Sequence, residues 1–492
     1  MTSKIKLSFA TVAVVLLAVS FTRCTKDFVK MNTNPNESAA AAPQSLIGPT
    51  LNTIINTNIN RNLRINNEFM QVSVTYLDSR EFHRYEVRPS ESEATWKSWY
   101  LALSNIKDMY DKAGEAQQKG YRTYQGISLI LETWVYALLT DMYGDIPYYE
   151  SNKGHSQLNT TPAFEKQQDI YRDLFLKLET ANLLLKEGAT VEANIAQYDP
   201  IFATAPEKWR KFGNTLYLRL LLRVAHKPET NALAKIKEII ESNPAEYPVM
   251  NSNEDSAILY FSDQLPYINP YQNARDIDFN GDKGYAEFFI NNLLELQDPR
   301  LPIWSTEASL GVYGGIQSAY PKGSTPDKQS TLKLTLKGKA LMGNIMNYGE
   351  LQFIMAEMAL RGYINQDPEL YYKKGVEASM SLWNAALPAA YFNNPKVGFL
   401  DSDSTLERLK KVHLQKYFAL MFTDFQQWFE YRRTQLLDLY RGPGLMNNGQ
   451  MPVRLNYPLI VQSLNNKHYK EAVARLGGDG INNKMWWQQG TN

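Results

Sequence analysis

Cysteine is almost missing from this chain: its 492 residues contain one, Cys24. With no second thiol an intrachain disulfide is excluded, and packing alone must hold the fold. Neither sign of charge is in excess, since Lys and Arg number 52, Asp and Glu 51, and the formal net charge is +1. No long basic run is present, which argues against nucleic acid as a partner, because that binding neutralises many phosphates. Long apolar runs are confined to the start. Leu7 to Phe21 carries no charge, yet it falls short of the roughly 20 apolar residues of a bilayer-spanning helix. The motifs of common catalysts are missing too. His83, His155, His226, His413 and His468 are dispersed without an H-E-x-x-H, and there is no P-loop, dinucleotide glycine fingerprint or G-x-S-x-G elbow. Glu350 and Glu357 share a helical face, but two turns separate them by about 10.5 Å along the axis. That is wider than the roughly 5–5.5 Å of a retaining glycosidase pair and beyond the inverting range. Structural ion pairing is the better reading, and the chain is expected not to be an enzyme. An all-α glycoside hydrolase or lyase is the enzyme-class rival, and a protein-interaction scaffold the third class.

What is present begins at the N-terminus. Lys4 and Lys6 precede the apolar run, and Cys24 lies just past it. Those are the length and flanks of an export signal, and a lone cysteine immediately after it reads as a lipid-bearing residue. Arg23 departs from the small residue usual before such a cysteine. The expected organisation is a lipoprotein signal peptide over 1–23, a lipidated tether over 24–44 and one large domain over 45–492. Acyl chains would anchor the protein to a membrane without spanning it.

Hydrophobic residues make up 44% of the chain and aromatics 12%, enough for a sizeable core with tyrosine to spare for contacts. Apolar positions keep helical spacing at Ile127, Ile130, Leu131, Trp134 and Leu138, and again at Ile170, Leu174, Leu178, Ala181 and Leu185. Thr161-Pro162 predicts a cap and first-turn proline for the second of these helices. Thr204 to Glu207 predicts a capping box opening a helix through Trp209, Phe212, Leu216 and Leu220. Further helices are expected over 96–116, 370–387 and 406–420, and one at Leu351 to Met358 closed by Gly362. Trp96, Trp99, Trp134 and Trp209 sit on apolar stripes and belong to the core. From about Asn243 to Met346, and again from Arg441 onward, periodicity gives way to Pro, Gly, Asn, Ser and aromatic residues, the texture of functional surface. The fold class is mostly α, as stacked helical hairpins with long irregular ligand-binding segments. There is no clean 34-residue repeat.

Several stretches together resemble the SusD/RagB outer-membrane nutrient-binding lipoproteins. They are Cys24 to Phe28 with Asn34-Pro35-Asn36, Thr140 to Tyr148 (TDMYGDIPY), Trp209 to Arg223, Asp298 to Pro302 (DPRLP) and Tyr348 to Gly362. Gln415 to Tyr417, Tyr431 to Thr434, Arg454 to Pro458 and Trp486-Trp487 come after them in the family's order. Gln435, Leu436 and Val461 depart from its usual residues. The resemblance implies a tetratricopeptide-like scaffold and a cell-surface lipoprotein on the outer membrane. Its implied partner is a SusC-like TonB-dependent transporter, and its ligand an oligosaccharide, or a peptide as in the RagB-like branch. Its motifs are read as structural: Tyr143 to Pro147 as a turn, and Arg432-Arg433 as part of a buried ion-pair network.

Two further patterns come from the residues themselves. Asp276, Asp278, Asn280, Gly281 and Glu287, with Asp282 between, fit a D-x-[DN]-x-[DN]-G-x₅-E calcium loop. No cofactor is required, and this loop is the candidate for a structural Ca2+. Lys283 stands where an apolar residue normally packs, and Pro266 and Pro270 precede the loop, so a solvated acidic turn is the competing reading. The ligand site is expected on two aromatic-rich stretches, one with Tyr76, Arg80, His83 and Tyr85, the other with Tyr267, Tyr271, Arg275, Tyr313 and Tyr320. Sugars offer apolar C–H faces ringed by hydroxyls, so a binder needs aromatic platforms with hydrogen-bonding edges.

Overall fold

The structure, a computed structural model, describes residues 42–77, 82–115, 119–338 and 340–490. Cys24, most of the expected tether and Arg80 lie outside the described residues. The longer helices are α1 (Pro43–Arg61), α2 (Glu93–Glu115), α3 (Lys119–Tyr143), α4 (Gln167–Lys186), α5 (Pro206–Arg223), α6 (Glu287–Glu295), α7 (Tyr348–Leu360), α8 (Pro368–Leu382), α9 (Thr405–Ala419) and α10 (Gln426–Thr434). Two more, α11 (Leu459–Leu464) and α12 (Asn466–Leu476), fill part of the C-terminal stretch that lacks clear periodicity in the sequence. Each of α1 to α4 packs on the next, α5 meets α7, and α7 packs on α8 and α9. The result is a mostly α, tetratricopeptide-like stack of helical hairpins. None of the described helices is long and apolar enough to cross a membrane.

Burial follows the apolar stripes. Trp99, Trp134 and Trp209 are fully buried and Trp96 nearly so. Gly144 turns the chain after α3 at φ +90, and its N–H donates to Thr140 O at 2.8 Å. That left-handed conformation suits glycine. Gly362, at φ +70, closes α7 as expected, with Tyr363 N–H reaching back to Met358 O at 2.8 Å. Two predicted helix starts differ. Thr204 lies at φ +53 and Ala205 is the cap residue of α5, without a side-chain cap, because Asp199 already accepts the Thr204 N–H at 2.7 Å. Thr161-Pro162 falls short of α4, since Phe164–Glu165 first pairs as a strand with Ile146–Pro147. The capping box that does form joins Ser404 and Glu407 at the start of α9.

Buried charge is organised into nodes. Arg219 grips Glu350 through two hydrogen bonds of 2.7 and 2.6 Å. Arg433 grips Glu357 at 2.7 and 2.6 Å and reaches Glu430 at 2.7 Å, where Lys416 also donates at 2.6 Å. Glu350 and Glu357 are therefore structural partners, as their spacing indicated. Arg432 departs from the expected network: its guanidinium lies 4.1 Å from the Trp428 ring centroid and 4.5 Å from that of Phe429. Its NH2 donates to the Asp141 main-chain O at 2.8 Å. Aromatic faces and carbonyls, not a carboxylate, hold it.

Asp424 differs from these acids. It is buried, and its carboxylate accepts from neutral donors, Trp134 Nε1 at 2.9 Å and Asn58 Nδ2 at 2.6 Å. Burial pushes its pKa up to about 7. An ordinary aspartate titrates near 3.9, so the folded chain holds this proton more tightly than the unfolded one. Stability contributed by this group is then lost as pH rises from about 4 to about 7, by up to roughly 1.4 kcal/mol per unit. Urea unfolding checks this. Asp424→Asn should be less stable overall, and should lose roughly 2–3 kcal/mol less than wild type between about pH 5 and pH 7.5.

Candidate functional site

The two aromatic-rich stretches, far apart in sequence, meet in space. Strand Ser73–Thr75 pairs antiparallel with Lys283–Tyr285, and Tyr76 N–H donates to Asp282 O at 2.9 Å. Val74, Ala286, Ile316 and Tyr320 form a small satellite core beneath them, with Tyr76 packed against it. The Tyr320 hydroxyl donates to Thr75 O at 3.0 Å, and the Tyr76 hydroxyl accepts from Gln329 N–H at 2.9 Å.

Beside this junction opens a cleft of about 490 Å³. One wall comes from the end of α1 and the turn after it, with Asn60, Leu63 and Arg64, and the other from Tyr271, Arg275, Ile277 and Asp278. Asp282 and Lys283 close it toward the strand pair. Both walls are built on π-helical turns, Asn62–Asn66 and Ile277–Gly281. Such turns are rare, and they re-aim side chains where function needs them. Tyr271 is half-buried against Phe279, with ring centroids 5.2 Å apart. Arg275 holds Asp278 by two bonds of 2.8 Å, and those bonds keep the Asp278 carboxyl below its ordinary pKa. Arg64 donates to Glu91 at 2.6 Å. The cleft thus offers one aromatic face with donors and acceptors on both sides, its charges largely paired. That combination suits a neutral, polyhydroxylated ligand.

Of the sequence-predicted ligand residues, Tyr271 and Arg275 line this cleft. Three others are core residues. His83 is fully buried, its Nδ1 accepts from Ala319 N–H at 3.0 Å, and its ring stacks on Tyr320 at 4.8 Å. Tyr85 and Tyr320 are 5% and 4% exposed, and Arg84 sits 4.6 Å over the Tyr320 ring. His83 and Tyr320 stitch one stretch to the other, while the Tyr85 ring packs edge-on to Phe69. Tyr267 packs near the start of α1, where a side chain at Gly48 would collide with its hydroxyl. Tyr313 is half-buried beside the Ser309–Val312 bridge, away from the cleft lining. Sequence reading missed Asn60, Leu63 and Arg64. The signal available was the dense asparagine run through Asn58, Asn60, Asn62, Asn66 and Asn67, unusual for a helix.

Three acids of the calcium loop pair with nearby basic side chains. Asp276 accepts from Lys337 at 2.8 Å, Asp278 is taken by Arg275, and Asp282 lies 3.4 Å from Lys283. Asn280 turns its amide N–H to Leu332 O at 2.8 Å, and Glu287 opens α6. No three carboxylates among Asp276, Asp278, Asp282 and Glu287 converge as a cation would require. Among the described residues the group that converges is Glu357, His413 and Glu430, with ligand atoms within 4.8 Å of one another. Arg433 and Lys416 already occupy those oxygens, so this is an ion-pair node.

A family profile described as "Starch-binding associating with outer membrane", the SusD-like group, matches residues 35–458. The chain belongs to the SusD-like family. Solved SusD homologues share the fold. One from Bacteroides fragilis NCTC 9343 has TM-score 0.78 at 24% identity, covering 91% of this chain and 99% of that one. A chitin-binding homologue from Flavobacterium johnsoniae has TM-score 0.78 at 21% identity, with 91% and 99% covered. A homologue from Bacteroides vulgatus ATCC 8482 has TM-score 0.76 at 22% identity, with 91% and 98% covered. A comparison with curated proteins gives no match. In this SusD-like chain the DPRLP motif is scaffold: its Arg300 is fully buried against Asp298.

Proposed function

We propose that this chain is a cell-surface lipoprotein that binds neutral oligosaccharides in the Tyr271 cleft without cleaving them. Lipid on Cys24 tethers it to the outer membrane, and a SusC-like TonB-dependent barrel takes the ligand onward. The observation that carries this reading is the cleft itself: two π turns set a half-buried tyrosine between Asn60, Arg64, Arg275 and Asp278. Membership of a family described as starch-binding supports a glycan, and the chitin-binding relative makes chito-oligosaccharides the first probe. The glycosidase reading loses its best acid pair, because Glu350 and Glu357 are buried and bound by arginines. Isothermal titration with chitohexaose, maltohexaose and a neutral peptide of similar length tests the ligand class, with the sugar recovered afterwards for chain-length analysis. Saturable binding of one oligosaccharide, recovered intact, is the expected result. Binding of the peptide alone would return the chain to the RagB-like reading, and shortened sugar would make it an enzyme.

A further inference from the structure

Asparagine recurs at four-residue spacing through the end of α1 and the π turn after it, as Asn58, Asn62 and Asn66. All three are buried. Each turns its amide Nδ2 to one short segment, the turn that opens α10. Asn58 donates to Asp424 Oδ1 at 2.6 Å, Asn62 to the Asp424 main-chain O, and Asn66 to Gln427 Oε1 at 2.7 Å. Trp428 N–H returns a bond to Asn66 Oδ1 at 3.2 Å. That segment is anchored in its turn, Asp424 by Trp134 Nε1 on α3 and Gln427 by its own amide N–H to Tyr417 O on α9 at 2.8 Å. Asn60 and Arg64, two residues along from Asn58 and Asn62, fall on the opposite side of the helix and stand in the wall of the Tyr271 cleft.

This spacing accounts for the π turn. An α-helix advances about 100° per residue, so each step of four overshoots a full turn by about 40°. Two steps in a continuous α-helix would carry Asn66 about 80° round from the side on which Asn58 meets the α10 turn. A π turn, bonded from i to i+5, holds more residues per turn and takes up that drift. Asn62–Asn66 is such a turn, and an Asn66 amide buried without its partners would cost free energy. We propose that Asn66, acting through Gln427, is a positioning residue for ligand binding: the asparagine stripe holds the π turn against the start of α10, and the outer side of that stretch thereby presents Asn60 and Arg64 to the cleft. Neither Asn66 nor Gln427 lines the cleft, so their effect on a ligand passes through the wall. The inference rests on the reading of this cleft as the oligosaccharide site.

Hydrogen exchange and calorimetry on the full chain test it together. Asn66→Ala and Gln427→Ala should each speed amide exchange over residues 62–66 of the ligand-free protein by about fivefold or more, as the loss of one hydrogen bond predicts. Each should weaken binding of chitohexaose, or of maltohexaose if that is the sugar wild type takes, by about fivefold. The double variant should bind no worse than the weaker single, because both substitutions break the same tie. Leu174→Ala truncates a buried side chain on α4, outside the cleft lining, so it should lower the melting temperature and leave affinity as in wild type. Unchanged exchange in either single variant would overturn the proposal, with or without a sugar. So would additive affinity losses in the double variant, or a loss in Leu174→Ala equal to theirs. Full affinity in both singles would overturn it where Asn60→Ala with Arg275→Ala weakens binding. Where that pair also keeps full affinity, or wild type binds neither sugar, the cleft reading itself has failed and the positioning role falls with it.

Discussion

Glu357→Gln should cost the fold about 3–5 kcal/mol, because it leaves buried cations facing a neutral amide. Glu357 is fully buried on α7, accepts from Arg433 and from Arg361 at 2.8 Å, and lies 3.2 Å from His413 Nε2. Burial alone would push its carboxyl up, but the Arg433 guanidinium and the His413 ring outweigh it and hold the pKa well below the usual range. Glu430 is placed likewise, burial being outweighed by Arg433, Lys416 and Arg223. Both acids are depressed, so the stability they contribute is present above about pH 4.5 and lost as pH falls further toward their folded-state values. This is the opposite slope to that of Asp424. Urea unfolding at neutral pH reads the loss, and a titration toward pH 3 should show a shallower acid limb in the variant. A change under about 1 kcal/mol would mean that water or Glu430 alone satisfies Arg433.

The double variant Asn60→Ala with Arg275→Ala should weaken oligosaccharide binding by about tenfold or more, as expected for two lost hydrogen-bonding side chains. Both are on the surface; Arg275 is 80% exposed and Asn60 is exposed, so the melting temperature should stay nearly constant. Tyr271→Phe should bind almost as wild type if the ring face is what the sugar meets, whereas Tyr271→Ala should lose affinity together with some stability through its contact with Phe279. Calorimetry with the oligosaccharide that binds wild type, paired with thermal unfolding, separates these outcomes. Unchanged affinity in the double variant would move the site elsewhere.

Much of the scaffold was legible in the sequence because helix stripes, left-handed glycines and carboxylate spacing are local signals. Trp99, Trp134 and Trp209 were placed by periodicity, Gly362 by its position just past a helix end, Gly144 by the family motif read as a turn, and Glu350 and Glu357 by their rise. The site was legible only in part. Tyrosine serves equally as surface platform and core filler, so nothing local distinguishes Tyr271 at the cleft from Tyr320 beneath the strand pair. That difference is made by Ser73–Thr75 meeting Lys283–Tyr285, a pairing between segments so distant in the chain that no window of sequence reveals it. The π turns were hidden because Asn62–Asn66 and Ile277–Gly281 carry no distinctive composition beyond asparagine and glycine. The calcium-loop spacing says nothing of these pairings: Arg275 bonds Asp278 and Lys337 bonds Asp276, contacts that depend on where Lys337 is brought by the fold.

A crystal structure of the chain soaked with the tightest-binding oligosaccharide would decide whether the Tyr271 cleft is the sugar site. An intact sugar is expected there, with one ring lying against Tyr271 and its hydroxyls within hydrogen-bond distance of Arg275 and Asn60. Density for sugar elsewhere, with the cleft between the two π turns empty, would contradict that assignment.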